Sequence, residues 1–148
     1  MNMSGGKVEA CAGEVLLSEA SELLWRQVHP KHVDNGIVAA EAFVGTPDDH
    51  HRISTSRSSL QTAEGAYRFH TEVVCLSSAG TWAVMVGDAT TLGADCVYDA
   101  ESDCAPVPCP AGHTNIDIRR LARNEQRAVR SYLAARATER GRCHPPAK

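Results

Sequence analysis

The longest periodic run in the chain lies near its C-terminal end. Ile118, Leu121, Ala122, Ala128, Val129, Tyr132, Leu133 and Ala137 recur at spacings that gather them on one side of an α-helix from about Arg119 to Arg140. A helix of this kind draws its stability from an apolar surface beneath its stripe, so the rest of the chain must supply one. Gly141 follows where a C-cap is expected. The preceding segments are short and alternating. Trp82, Val84 and Val86 alternate with Ala83 and Met85 in the clearest strand, Thr81–Val86. Further strands are expected at Leu24–Val28, ended by Pro30, at Ile53–Ser56, at Cys96–Tyr98 and at Thr114–Ile118. Thr62 is placed to cap a helix carrying Ala63, Ala66, Tyr67 and His70 on one side. The mixed order of strands and helices is not a repeating βαβ pattern. The expected fold class is therefore α+β: a small, mostly antiparallel sheet with a long C-terminal helix packed on it.

Some segments are ambiguous. Glu14–Leu24 fits a short helix or turn leading into a strand, and Ile37–Val44 fits either a strand or an Ala-rich helical turn. Asp34-Asn35-Gly36 is a turn signal, because Asn and Gly tolerate positive φ. Thr46-Pro47-Asp48-Asp49 is a second turn, and Glu101–Gly112, with three prolines and no periodicity, is a loop. At 148 residues the chain suits one domain. The expected organisation is a flexible N-terminus over 1–12, one α+β domain over 13–140 and a disordered tail over 141–148. Aromatic residues make up only 5%, so aliphatic side chains must fill the core. No stretch approaches the roughly 20 apolar residues of a membrane helix, so no membrane partner is expected. Met1–Ala12 has no apolar run resembling a signal peptide, so the expected location is the cytoplasm, with the six cysteines reduced. Ala- and Arg-rich usage suggests a bacterial coding origin.

Two segments stand out for chemistry. Arg26-Gln27-Val28-His29-Pro30-Lys31-His32 ends a strand with a guanidinium and two imidazoles. Arg26 there can clamp phosphate, and His29 can serve as acid or base near neutral pH. A structural alternative is a surface turn in which His29 caps a backbone group. Ile53-Ser54-Thr55-Ser56-Arg57-Ser58-Ser59 is rich in hydroxyls that can bind an anion or ribose, or simply cap and fill turns. Its candidate ligand-binding residues are Ser54, Thr55, Ser56 and Arg57. His113, beside the last strand, is the third candidate catalytic residue after Arg26 and His29.

The run Leu24–Pro30, with Gly36, Phe43, Ile53-Ser54 and His113, resembles a group of short bacterial proteins of unassigned function. The resemblance covers most of residues 23–118 and implies a self-contained domain without assigning an activity. Arg26 followed by Ser54-Thr55-Ser56 also resembles the first two elements of ADP-ribosyltransferases. That resemblance implies NAD as a ligand, with Arg26 on a phosphate and Ser54 and Ser56 shaping the nicotinamide pocket. The family's Glu-x-Glu or Gln-x-Glu element is absent after Ser56, although some related phosphotransferases use Arg and His instead.

Cys96, Cys104, Cys109 and His113 supply the atom types of a tetrahedral zinc site, but at spacings without a C-x2-C knuckle. Structural zinc therefore competes with a surface loop carrying incidental thiols. His50-His51 belongs to a turn, and His70 to the apolar side of the middle helix. Residues 119–148 hold nine Lys/Arg against two Asp/Glu, a net +7, while the remainder holds six against sixteen, a net −10. Arg119, Arg123, Arg127 and Arg130 thus form a basic face that can track phosphates or lie against an acidic body. The function expected is a small nucleotide- or anion-binding, enzyme-like domain with a small-molecule ligand. The alternative is a non-catalytic interaction protein that contacts an acidic partner or nucleic acid through its basic helix.

Overall fold

The computed structural model describes residues 13–45, 52–99 and 111–146. The expected flexible N-terminus, the Thr46–Asp49 turn, His50, His51 and most of the Glu101–Gly112 loop, including Cys104 and Cys109, lie outside them. Six strands form one antiparallel sheet: β1 (Glu14–Leu16), β2 (Leu23–Val28), β5 (Ile53–Arg57), β6 (Gly80–Met85), β7 (Asp95–Asp99) and β8 (His113–Asp117), in the order β1-β7-β8-β5-β2-β6. Two very short strands, β3 (Val33–Asp34) and β4 (Ile37–Val38), make a separate hairpin. Its turn uses Asn35 at φ 51° and Gly36 at φ 80°, the left-handed conformations that Asn and Gly adopt most readily. The α+β expectation is met, with helix α3 (Arg123–Arg140) packed against β6 and a 3₁₀ turn over Ala40–Phe43.

Strand pairing fixes two unlike faces. Leu24 lies opposite Val84, and Arg26 opposite Trp82; Ile53 lies opposite Ile116, which in turn faces Cys96. Directly opposed residues share a face, so these side chains all lie on one side. That side is the core, closed by Phe43, Val129, Leu133 and Ala137. The other face carries Trp25, Gln27, Ser54, Ser56, His113 and Asn115. Helix α1 (Ala63–Arg68) lies near β2 and β6, and Thr81 donates its hydroxyl to the Ala63 carbonyl at 3.3 Å.

Several local expectations are corrected. Glu14–Leu16 is a strand rather than a helix, held by its pairing with β7. Ile37–Val44 is both a short strand and a 3₁₀ turn. Thr62 caps α1 through the Gly65 amide at 2.9 Å, and the chain continues as a π-helical turn over Phe69–Val73. Val86 does not end β6 but starts α2 (Val86–Thr90), where the Asp88 carboxylate accepts the Met85 amide at 2.8 Å. Helix α3 starts at Arg123, because Asp117 accepts the Arg119 amide at 3.0 Å and turns the chain first. The tail expected to be disordered from Gly141 docks on the edge strand β6 at Thr81, through Cys143 and His144. The Thr81 amide donates to the His144 carbonyl at 2.7 Å, and the Cys143 amide donates to the Thr81 carbonyl at 2.8 Å. An edge strand presents unpaired backbone groups, and the tail supplies their partners.

Candidate functional site

Strands β2 and β5 pair only at Leu24↔Arg57 and Trp25↔Ser56. Beyond Trp25 the ladder stops, and Arg26 spans the opening. Its Nη1 donates to the Ser54 carbonyl at 2.8 Å, its Nε to the Ala42 carbonyl at 2.8 Å and its Nη2 to the Val44 carbonyl at 3.3 Å. Where the strands part there is a cleft of about 700 Å³. One wall comes from the segment after β2, with His29, His32 and Glu41. The opposite wall comes from the π-helical turn and the residues after it, with Phe69, His70 and Cys75. Trp25, Ser54, Thr55 and Ser56 line the sheet side.

His29 is held by its own turn, its Nδ1 accepting the Lys31 amide at 3.0 Å. This assigns the proton of the neutral ring to Nε2. His29 thus caps an amide and lines the cleft at once; its ring centroid lies 5.9 Å from that of His32. Burial pushes the His70 pKa below the ordinary imidazole value; a backbone hydrogen bond at Ser77 opposes this and the charge of Arg26 adds to it. The shift favours the neutral ring, which offers hydrogen bonds. Cys75 is exposed and sits in the left-handed region at φ 63°. A π-helical turn followed by a non-glycine left-handed residue is a strained arrangement of the kind that gathers at working sites.

The sequence candidates divide. Arg26, His29, Ser54, Thr55 and Ser56 all line the cleft. His113 lies outside its lining but reaches Ser54, with 2.9 Å between Nε2 and Oγ. Thr55 spends its hydroxyl on the Thr114 carbonyl at 2.7 Å. Arg57 points to the core face instead. It makes paired 2.9 Å bonds to Glu22 and lies over the Tyr98 ring at 4.8 Å. Its side chain serves the fold. His29 and His32 belong to the segment whose two imidazoles stand out in the sequence, whereas Glu41, His70 and Cys75 come from other segments and carried no such signal. Phe69 and His70 were legible as part of a helix, not as a wall.

Cys96 is fully buried in the core, and burial pushes its thiol up to about 12. It lies opposite Ile116, whereas His113 is three residues from Ile116 and so on the other face of the sheet. Cys96 and His113 therefore cannot share a metal, and Cys104 and Cys109 lie outside the described residues. Among the described residues no group of three or more His, Cys, Asp or Glu is placed to hold a metal ion.

Much of the basic C-terminal charge is matched within the chain. Arg140 and Arg136 reach the buried Asp88 carboxylate at 2.9 and 3.4 Å, Arg119 reaches Asp117 at 2.7 Å, and Arg120 reaches Asp95 at 3.0 Å. Arg119 precedes α3 and does not extend one face with Arg123, Arg127 and Arg130. No helix of the described residues is long and apolar enough to cross a membrane. No family model matches the chain, and no curated protein or solved structure is similar enough to it to indicate kinship.

Proposed function

We propose that the chain binds a small anionic ligand of nucleotide type in the cleft between β2 and β5. The observation that carries this is the parting of the two strands, which opens a space whose walls converge from four segments of the chain. Its volume of about 700 Å³ falls in the range of small-molecule sites. The lining has the mixture a nucleotide requires: aromatic rings of Trp25 and Phe69 for a base, hydroxyls of Ser54 and Ser56 for ribose or phosphate, the imidazoles as hydrogen-bond partners and Arg26 for negative charge. Arg26 supplies field more than a clamp, because three of its donor positions hold backbone carbonyls. The likeness of Arg26 and Ser54-Thr55-Ser56 to ADP-ribosyltransferases makes NAD the first ligand to test. The reading of α3 as an outward-facing nucleic-acid contact is weaker, since Arg119, Arg120, Arg136 and Arg140 have acidic partners in the chain.

The test is calorimetric titration with NAD, AMP and inorganic phosphate. At least one nucleotide is expected to bind with one molecule per chain, and Ser56→Ala combined with His70→Ala is expected to weaken it tenfold or more. Absence of heat and of any melting shift with all three at millimolar concentration refutes the proposal.

A further inference from the structure

We propose that Ser54 and His113 are a nucleophile and its base, and that the cleft performs acyl transfer on a small ester or thioester through an acyl-Ser54 intermediate. The inference rests on the cleft being the ligand site described above, and it adds a reaction to that binding.

The pairing of β5 with β8 sets Ser54 opposite Asn115 and Ser56 opposite His113, so all four side chains share one face. From its position His113 reaches diagonally to Ser54, with 2.9 Å between Nε2 and Oγ. That distance is within the reach required of a nucleophile and its general base. The order is also right: Ser54 lines the cleft and His113 stands behind it, so a ligand meets the hydroxyl first. Both residues sit on paired strands in the middle of the sheet, which fixes their geometry better than a loop does.

Two neighbours support a working rather than a purely structural pair. Among the described residues, the Oδ1 of Asn115, directly across from Ser54 and only 3% exposed, meets no hydrogen-bond donor. Buried polar groups left unmet are uncommon, and one beside a Ser–His pair marks a site not built for stability alone. Arg26 donates to the Ser54 carbonyl at 2.8 Å, which fixes the backbone at that strand position.

The step balances without a cofactor. Ser54 Oγ bonds to the acyl carbon while its proton passes to His113 Nε2. The bond from that carbon to the leaving oxygen or sulfur breaks, and His113 returns the proton to the leaving group. Water then attacks the acyl-Ser54 carbon and gives its proton to His113. The Ser54 oxygen departs from the acid and is reprotonated by His113.

The test uses a fluorophosphonate probe on the full chain, with the modified residue located by peptide mass. In labelling, Ser54 Oγ bonds to phosphorus, fluoride leaves and the proton goes to His113. The expected result is an adduct on Ser54, formed about 100-fold more slowly in His113→Gln, the lower end of what a general base contributes. Ser54→Ala is expected to give no adduct at this position. Circular dichroism establishes that each variant is folded. The inference is overturned if folded wild type gives no Ser54 adduct, or if His113→Gln labels at the wild-type rate. Nucleotide titration of the same wild-type sample separates the two proposals. Nucleotide heat without an adduct removes only the acyl-transfer inference, and an adduct without nucleotide heat removes only the nucleotide ligand.

Discussion

Replacing Arg57 by Met separates a structural arginine from a ligand-binding one. Arg57 gives Glu22 two bonds of 2.9 Å, and the Glu22 carboxylate, 7% exposed, also accepts the Ser59 hydroxyl at 2.7 Å and the Ser59 amide at 3.2 Å. Removing one partner of a fully buried pair costs about 3–5 kcal/mol. Here Arg57 remains 20% exposed and Ser59 keeps its bonds, which reduces the ionic loss to about 2 kcal/mol. The contact with the Tyr98 ring adds about 0.5 kcal/mol. For a chain of this size the total lowers the melting temperature by about 5–10 °C. Urea unfolding checks it: the midpoint falls while the slope is unchanged. The sign with pH is also fixed. The Arg57 hydrogen bonds hold the Glu22 carboxyl below its ordinary pKa, so this stabilisation is complete above the ordinary carboxylate range. It is lost as pH falls through the lowered folded-state value. The gap between wild type and variant is therefore expected to narrow below about pH 4. Ligand affinity is expected to stay unchanged. A loss under 0.5 kcal/mol, or a tenfold loss of affinity in a folded variant, refutes the assignment.

Two further outcomes follow from the packing. At Gly80, with φ +148°, an added Cβ would lie 2.5 Å from Arg142 Cδ and 2.7 Å from the His144 carbonyl. Gly80→Ala is expected to cost about 2 kcal/mol and to expose Arg142 to trypsin, and an unchanged digestion rate would contradict the docked tail. The Cys96 thiol, fully buried and pushed up to about 12, is expected to resist iodoacetamide at pH 8 until the chain unfolds, whereas exposed Cys75 alkylates before it; peptide mass mapping reads the order of the two.

The sheet and the last helix were legible because their signals are local. Alternation over Thr81–Val86 and the stripe through Val129, Leu133 and Ala137 need no distant partner to be recognised. Helix α2 was not legible, since Val86-Gly87-Asp88 continues an alternating strand and only the Asp88 bond to the Met85 amide breaks it. The docking of residues 141–146 was hidden for a different reason. It depends on the open edge of β6, and strand order is a property of the whole chain. At the site, Arg26, His29 and Ser54–Ser56 were visible as unusual strings of polar residues. Arg57 shares the same string, but period-two alternation sends it to the core face, where Glu22 meets it.

That alternation also explains why polar residues in mid-sheet accompany a cleft. On the core face Leu24, Ile53, Cys96 and Ile116 bury apolar surface in one core with Phe43, Val129 and Leu133, which supplies the drive to fold. The opposite face is then released from that task over β5 and β8, and Ser54, Ser56, His113 and Asn115 occupy it. A regular ladder from β5 to β2 would close the backbone beside them. Instead the ladder ends after Trp25↔Ser56, and the Ser54 carbonyl is satisfied by Arg26 rather than by a strand neighbour. One long side chain thus replaces part of a backbone ladder and leaves room where backbone would otherwise lie. Exchanging Arg26 for an apolar residue would strand three carbonyls, so the side chain meets a structural demand as well as an electrostatic one. The guanidinium thus both holds the opening and places positive charge at it.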